Sequence, residues 1–438
     1  MESVEKLGGE DIGRSSSIRQ VAAASFVGTA IEWYDFFIYG TAAALVFPAL
    51  FFPGSDPLTG TLLAFATFGV GFVARPVGGA VFGHFGDRIG RKAMLVTALL
   101  LMGLATAAVG LLPTYAQIGV LAPILLVVLR FLQGLGIGGE WGGAVLMAVE
   151  HAPSGRRGFY GTWPQMGVPI GLVFANLVFL LVGLMPDEAF LAWGWRLPFL
   201  LSFLLVMVGL FIRLRIMESP AFRRVKSTRT EARVPIVDVL RTYPGRVLLG
   251  SGSYAALNAS FYILAAFVVT YATESVGTSR GSILAIVLIS SVVGFFALPL
   301  FGALSDRIGR RPLYLAGIVG TGLWAFPLFW LLDTGAFFLM LVGHLVCTLF
   351  FYVSYGPQAA FFAEMFGTRV RYSGSSLAYQ GGSILGGALA PIIATALLAS
   401  YGSANAIAFY LAVLAVLSLA CTLVLSETYQ DDIEEDQE

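Results

Sequence analysis

The sequence predicts an all-α membrane protein whose twelve transmembrane helices form two pseudo-symmetric six-helix bundles. The chain has 438 residues, of which 57% are hydrophobic and only 12% are charged, whereas soluble domains carry about 25% charged residues. Twelve apolar segments approach or exceed the roughly 20 residues that a helix needs to cross a bilayer. One ten-residue motif occurs twice, half a chain apart. Together these observations predict lipid as the solvent and a duplicated six-plus-six architecture.

The apolar segments set the order of the predicted helices and the domain limits. The first six spans are predicted at 20–48, 60–86, 93–112, 120–150, 157–184 and 194–216. Six more are predicted at 247–273, 281–304, 312–332, 336–362, 373–399 and 403–426. These limits predict a first bundle over 1–216, a basic central loop over 217–246, and a second bundle over 247–438. The second bundle ends in a short acidic tail, Glu427 to Glu438, which we expect to be disordered.

The distribution of lysine and arginine predicts the orientation of the helices. Of 26 basic residues, 22 fall in the central stretch (counted from Arg213 to Arg246), near the N-terminus, or in alternate loops of one set. Loops rich in lysine and arginine remain on the cytoplasmic side of a membrane. Both termini and the central loop are therefore predicted to be cytoplasmic, in a multi-pass protein of the cytoplasmic (inner) membrane.

The repeated motif predicts a cytoplasmic gate. It spans Gly83 to Lys92 after the second helix and Gly302 to Arg311 after the eighth. In each copy the aspartate can cap a nearby helix N-terminus, and the arginines can pair with acids of the facing half or with lipid phosphates. The alternative is an ordinary basic turn. The predicted gate residues are Asp87, Arg88, Arg91, Asp306, Arg307 and Arg310.

The motifs resemble those of the major facilitator superfamily, and specifically its metabolite:proton symporters. The similarity lies in the paired motif, the fourth-helix run Arg130 to Gly143, and four shorter segments: Glu32 to Phe36, Trp193 to Phe199, Glu218 to Pro220, and Arg371 to Ser373. This resemblance covers essentially the whole chain. It implies the superfamily fold and transport of a small metabolite such as shikimate, alpha-ketoglutarate, citrate, proline or betaine.

Charged residues within predicted spans are candidates for proton coupling, because a charge at bilayer depth is costly. All five lie in the first half: Glu32, Asp35, Arg75, Arg130 and Glu140. At 1.5 Å per residue, Asp35 and Arg130 lie about 24 and 30 Å from the cytoplasmic edge, so they can meet. We predict an Asp35–Arg130 pair that a proton breaks, freeing the arginine for a substrate carboxylate. The resemblance implies the same, since a first-helix acid facing a fourth-helix arginine serves coupling in the superfamily.

Several alternatives to this coupling pair remain open. The pair can be a static contact that fixes helix packing, and Glu32 or Glu140 can be the acid that carries the proton. Sodium can replace the proton, since carboxylates bind both ions.

The substrate site is predicted from the membrane arginines and from polar or aromatic residues near them. Arg75 precedes Pro76, which should kink the second helix and open backbone groups. A structural salt bridge is an equal alternative for Arg75, and packing is the common role of membrane aromatics. The predicted substrate-binding residues are Arg130, Arg75, Tyr34, Trp141, Tyr379 and Gln380.

The expected activity is proton-coupled import of a small organic acid by alternating access. The 26 basic and 26 acidic residues balance, which argues against a nucleic-acid partner. No enzymatic activity, metal or cofactor is expected, and the proton gradient supplies the driving force. The expected partners are an anionic or zwitterionic small molecule, protons and the bilayer, with the protein a monomer. Symport of proline or betaine is the main alternative; drug:proton antiport and a transport-inactive sensor are less favoured.

Overall fold

The computed structural model describes residues 17–228 and 234–430, and within these ranges it is helical without a β-strand. Twelve of its helices are long and apolar enough to cross a membrane. The predicted fold class is thereby confirmed. The spans are α1 (Ile18–Leu45), α2 (Pro57–Ile89), α3 (Arg91–Leu111), α4 (Leu121–Glu150), α5 (Arg157–Val182), α6 (Arg196–Leu214), α7 (Pro244–Glu274), α8 (Arg280–Ile308), α9 (Arg310–Leu332), α10 (Phe337–Glu364), α11 (Arg371–Tyr401) and α12 (Asn405–Val424).

Short helices join the spans. Three lie in the first half, at Phe47–Phe51, Tyr115–Ile118 and Asp187–Ala189. Two more, Pro220–Thr228 and Pro235–Thr242, lie in the stretch predicted as a loop. Residues 229–233, the first 16 residues and the last eight, 431–438, lie outside the described ranges. We call the end of the bundle at which the odd-numbered spans begin the charged face, and the other end the opposite face.

The two repeated motifs lie mostly inside helices, whereas the sequence predicted that the spans would end at 86 and 304. Helix α2 continues to Ile89 and α8 to Ile308. The turn into the next helix is a single glycine in each copy, Gly90 with φ 131° and Gly309 with φ 102°. Only glycine adopts such angles without strain. The helices therefore project charged side chains beyond the apolar core, where neighbouring helices bury them.

The two halves meet along pairs of helices. Helix α2 packs on α11, while α5 packs on α8 and α10. Close approach depends on small residues: a Cβ at Gly83 of α2 would lie 2.8 Å from Cα of Ser373. Backbones in direct contact exclude water from this interface. The charged face is thus sealed between the halves.

Two spans of the second half, α7 and α11, are each interrupted by a π-helical turn. Helix α7 contains a π-helical turn at Ile263–Phe267, and α11 contains one at Ile384–Ala388. Such turns leave carbonyl groups free and are frequent at functional sites. One is used here, since His344 Nε2 lies 3.2 Å from the carbonyl oxygen of Leu264.

The acidic tail differs from its prediction at its start. Glu427 accepts hydrogen bonds from the backbone N–H groups of Arg310 and Arg311, both at 2.9 Å, at the start of α9. The prediction of disorder is therefore wrong for Glu427, because its carboxylate meets unsatisfied donors at a helix N-terminus. The first half repeats the arrangement, with Glu218 accepting from Lys92 N–H at 3.1 Å at the start of α3.

Candidate functional site

At the charged face, each motif aspartate binds the start of a helix in the other half. Asp87 accepts from the N–H groups of Tyr372 at 3.2 Å and Ser373 at 2.9 Å, in the first turn of α11. Asp306 accepts from Gly158 at 2.8 Å and Phe159 at 2.9 Å, in the first turn of α5. A carboxylate at a helix N-terminus meets both free N–H donors and the positive end of the helix dipole. The two contacts are pseudo-symmetric and tie the halves together.

A buried ion-pair network lies beside Asp87. Glu150, at the end of α4, accepts from Arg91 at 3.3 Å and from Arg371 of the other half at 3.1 Å. Arg91 also donates to the carbonyl of Thr368 at 3.1 Å, a second contact across the halves. The side chains of Arg91 and Glu150 have no solvent exposure. Burial of this kind makes each partner depend on the other for its charge.

The second copy of the motif builds an equivalent network. Glu364, at the end of α10, accepts from Arg310 through both oxygens, at 3.1 and 3.2 Å. Arg310 also pairs with Asp306 at 2.6 Å. Arg157 of the first half interacts electrostatically with Glu364, as Arg371 does with Glu150. Four of the six predicted gate residues thus take part in these two networks or in the helix contacts beside them: Asp87, Arg91, Asp306 and Arg310.

Arg88 and Arg307 do not join these networks and are exposed. Of the two partners predicted for the motif arginines, acids of the facing half are not reached by these two within the described ranges, and pairing with lipid phosphates stays a prediction. Gly309 turns the chain so that Arg310, the first residue of α9, meets Asp306 near the end of α8, whereas the residue directly after each aspartate is turned by about 100° around its helix. The motif therefore has one buried face and one solvated face.

In the middle of the bundle, Arg75 of α2 reaches across to the second half. Its Nη1 donates to the Tyr262 hydroxyl of α7 at 3.3 Å, and the arginine is 4% exposed. Its Nε has no hydrogen-bond partner among the described residues. Its electrostatic neighbours are Tyr262, Tyr379, Glu32 and Tyr254. No salt bridge of Arg75 occurs within the described ranges, so the guanidinium is buried without a paired carboxylate.

Glu32 of α1 is the acid among the electrostatic neighbours of Arg75. It is 3% exposed, and its Oε2 has no hydrogen-bond partner in the described part of the chain. It interacts electrostatically with Glu140, Arg75, Arg213 and Asp35. Glu32 therefore lies within electrostatic range of Arg75 without forming a salt bridge with it.

Aromatic rings enclose this region. Trp141 of α4 stacks on Tyr379 of α11 with centroids 3.8 Å apart, and Tyr379 stacks on Tyr254 of α7 at 4.5 Å. Gln380 donates to the carbonyl of Gly138 at 3.1 Å. The structure thus brings together four of the six predicted substrate residues: Arg75, Trp141, Tyr379 and Gln380.

Arg130 and Tyr34 are held by contacts inside the first half, although Arg130 also interacts electrostatically with Arg75 and Tyr262. The Arg130 guanidinium is surrounded by Phe36, Tyr39 and Phe68, with centroids 4.4 to 5.1 Å away, and donates to Gln133 at 3.1 Å. The Tyr34 hydroxyl donates to the Pro198 carbonyl of α6 at 2.7 Å. The structure therefore does not place these two side chains at the interface between the halves.

The predicted Asp35–Arg130 ion pair is not formed in the structure. Asp35 lies beside the hydroxyls of Thr106 in α3 and Ser202 in α6, within its own half. Neither of its oxygens has a hydrogen-bond partner within the described ranges. The sequence argument estimated depth along the helix axis, which leaves the direction around the axis undetermined. The depths of Asp35 and Arg130 along their helices are compatible with an ion pair, but the directions in which the two side chains point are not.

Glu140 has a partner that the sequence analysis missed. It pairs with Arg213 through both carboxylate oxygens, one of them at 2.9 Å from Nη1, and Arg213 also donates to the carbonyl of Leu95. Arg213 was counted among the basic residues of the central stretch, but it lies inside α6 and is 4% exposed. Glu140 is therefore part of a buried contact among α3, α4 and α6.

Glu150, Glu364 and Arg371 are the other participants that sequence reasoning did not assign. A signal existed: each glutamate closes a span, and each following span begins with an arginine, at Arg157 and Arg371. Their pairing across the halves is a property of the folded bundle.

Comparisons with known proteins agree with this architecture. A profile of the Major Facilitator Superfamily matches residues 25–384 and 253–437. The chain is 44% identical to the inner membrane metabolite transport protein YhjE of Escherichia coli, over 94% of this chain and 95% of that protein. It is 41% identical to the E. coli shikimate transporter over the same shares, and 34% identical to the E. coli proline/betaine transporter, over 94% and 84%.

Solved structures agree on the fold. The proton:xylose symporter XylE bound to 6-bromo-6-deoxy-D-glucose superposes with a TM-score of 0.78 at 16% identity, covering 95% of this chain and 98% of that one. The inward-open conformation of E. coli XylE superposes less well, with a TM-score of 0.66 at 16% identity, over 95% and 98%.

Proposed function

We propose that this chain, which belongs to the major facilitator superfamily, imports a small organic acid together with protons across the cytoplasmic membrane. The chain is a multi-pass membrane transporter and not an enzyme, as its family and its relatives show. In this proposal the charged face and both termini are cytoplasmic, and a monomer alternates between access from the two sides.

The unpaired burial of Arg75 carries the proposal. A cation at bilayer depth that forms no salt bridge costs several kcal/mol, and the neighbouring acid Glu32 forms none with Arg75. Arg75 has a tyrosine hydroxyl as its hydrogen-bond partner within the described ranges and leaves Nε unused. A substrate carboxylate between the halves supplies the missing charge and the missing acceptor, which a guanidinium binds in a two-pronged geometry.

Proton coupling is assigned to Glu32 in place of the Asp35–Arg130 pair. Glu32 and Arg75 interact electrostatically without a salt bridge between them. When a substrate carboxylate binds Arg75, Glu32 faces a second negative charge while its neighbouring cation is occupied, and this favours proton binding by Glu32. Substrate and proton then move together, because each arrival favours the other.

The contacts at the charged face act as the gate in this proposal. Asp87 and Asp306 hold the starts of α11 and α5 while that face is closed, and the Glu150 and Glu364 networks bury their charges in the same state. Opening exposes all of these groups to water. Closed and open states therefore exchange protein contacts for hydration, which keeps their free energies close.

Symport of a zwitterion is the second candidate. Relatives at 33 to 35% identity include proline/betaine transporters. The carboxylate of such a substrate also fits Arg75, and the rings of Trp141 and Tyr254 can bind an ammonium group.

Uptake into proteoliposomes with an imposed pH gradient tests the proposal. The probes are labelled shikimate, alpha-ketoglutarate, citrate and glycine betaine. We expect accumulation of an acid that a protonophore abolishes. Arg75→Gln should raise the KM at least tenfold, whereas Arg88→Gln, which changes an exposed arginine of the same helix, should leave KM unchanged.

Glu32→Gln separates coupling from binding. This variant should lose accumulation driven by the pH gradient and retain exchange of labelled for unlabelled substrate. Accumulation that survives the protonophore, or an unchanged KM in Arg75→Gln, would contradict the proposal. Betaine accumulation without any acid uptake would support the second candidate.

A further inference from the structure

Two glutamines near the interface between the halves are buried with their amide groups unused. Gln165 of α5 is 1% exposed and Gln358 of α10 is 0% exposed. In both, the amide nitrogen and the amide oxygen have no hydrogen-bond partner among the residues that the structure describes. A buried amide without partners costs about 1–3 kcal/mol in each unsatisfied group. The two amides could regain these hydrogen bonds from a bound polar ligand.

Gln358 lies on the face of α10 that points to the aromatic stack. Residues three or four positions apart share a helix face, and Gln358 lies between Tyr355 and Phe362. Tyr355 interacts electrostatically with Tyr379 and Glu32. The Phe362 ring lies 6.2 Å from Trp141 and 6.3 Å from Tyr254. Gln358 thus shares a helix face with residues that contact the aromatic stack, and Tyr379 of that stack is an electrostatic neighbour of Arg75.

Gln165 approaches the same region from the first half. One turn before it, a Cβ at Gly161 would lie 3.2 Å from Cβ of Ala359, the neighbour of Gln358 in α10. One turn after it, Val168 belongs to a buried cluster with Trp33 and Tyr262. Tyr262 is the hydrogen-bond partner of Arg75. Gln165 and Gln358 therefore flank the Arg75 site from two different helices.

We infer that Gln165 and Gln358 recognise hydroxyl groups, so that the substrate is a hydroxylated monocarboxylate. The inference rests on the proposed function, in which Arg75 binds the carboxylate. An amide offers two N–H donors and an acceptor oxygen, and a hydroxyl both donates and accepts, so one hydroxyl can satisfy both ends of an amide. A substrate without hydroxyls leaves the amides unsatisfied and is rejected for that reason.

The count of charges selects a single carboxylate. In the middle of the bundle Arg75 donates a hydrogen bond to the second half, while the guanidinium of Arg130 is enclosed by three rings of the first half. The second carboxylate of alpha-ketoglutarate, and the second and third carboxylates of citrate, would lie close to Glu32 without a cation of their own. They would pay a desolvation cost that a hydroxyl avoids.

Competition in the unmodified protein provides the first test. Exchange of labelled shikimate, a trihydroxylated cyclohexene monocarboxylate, is measured without a pH gradient against unlabelled shikimate, cyclohex-1-ene-1-carboxylate, citrate and glycine betaine. We expect shikimate to compete at least tenfold better than cyclohexene carboxylate, which has the same ring and carboxylate. Equal competition by these two overturns the inference and leaves the proposed function intact. If no carboxylate exchanges or competes, the proposed function itself fails.

Two variants then assign the selectivity to the amides. Gln358→Leu and Gln165→Leu should each reduce the preference for shikimate over cyclohexene carboxylate by about tenfold, as expected for a lost hydrogen-bonding group. Gln133→Leu is the matched control, because Gln133 is also buried but its amide is used by Arg130 and Thr106. It should leave the preference unchanged. If Gln358→Leu and Gln165→Leu both leave the preference for shikimate unchanged, the assignment to the two amides is overturned. The competition measurement in the unmodified protein remains a test even if a variant does not fold.

Discussion

The closed charged face should open when the motif aspartates lose their charge. Asp87→Asn retains one acceptor oxygen, so it removes one of two hydrogen bonds to the start of α11 and also the charge that faces the helix N-terminus. Asp306→Asn does the same at the start of α5. Both changes conserve volume, which limits other disturbance.

The size of the effect follows from these contacts. A hydrogen bond to a charged group contributes about 1.5–3 kcal/mol, and hydration of the open state offsets part of the loss. We expect about 2 kcal/mol at each aspartate, which is a shift of about 30-fold in the ratio of closed to open states. The two aspartates contact different helix pairs, so the effects should nearly add in the double variant.

Distances between spin labels at the charged face measure this ratio. Labels at Arg88→Cys in α2 and Arg307→Cys in α8 report on the separation of the halves, since both positions are exposed. The background carries Cys347→Ala and Cys421→Ala. The parent should give mainly the short distance, and the double aspartate variant should give mainly a longer one. An unchanged distribution in the double variant would refute the reasoning, and Asp187→Asn, an exposed acid of the opposite face, is the control.

Three further outcomes are expected. Glu140→Gln should lower the thermal unfolding midpoint in detergent, because it leaves Arg213 buried without its acid, at a cost of about 3–5 kcal/mol. The double variant with Arg213→Gln should be destabilised by less than the sum of the two single variants. Strictly additive destabilisation would argue against the pair. Gly83→Val should favour the open charged face in the label experiment by preventing contact with Ser373. Gly69→Val should not, because a Cβ added at Gly69 of α2 would meet no atom of another helix within 4 Å among the described residues. Arg75→Lys should weaken substrate binding in equilibrium titration by roughly tenfold, since a point charge lacks the two-pronged geometry; full affinity would count against a guanidinium–carboxylate contact.

Much of the architecture was accessible from the sequence because it depends on local composition. Apolar segments of bilayer length predicted the twelve spans, and lysine and arginine separated the two sets of loops. The repeated motif predicted two similar halves and singled out Asp87 and Asp306. Arg75, Trp141, Tyr379 and Gln380 were predicted at the substrate site from residue type and position, and the structure brings them together.

Partner choice inside the bundle was beyond the sequence. Glu140 pairs with Arg213, which looked like a loop residue, and Arg130 is held by aromatic rings while Asp35 turns toward α3 and α6. Helix length determines the depth of a side chain, but packing against neighbouring helices determines the direction in which it points. The sequence by itself therefore determined the membrane, the number of spans and the duplication. Only the tertiary structure decided which charges meet, because rotation about each helix axis is set by contacts with residues distant in the chain.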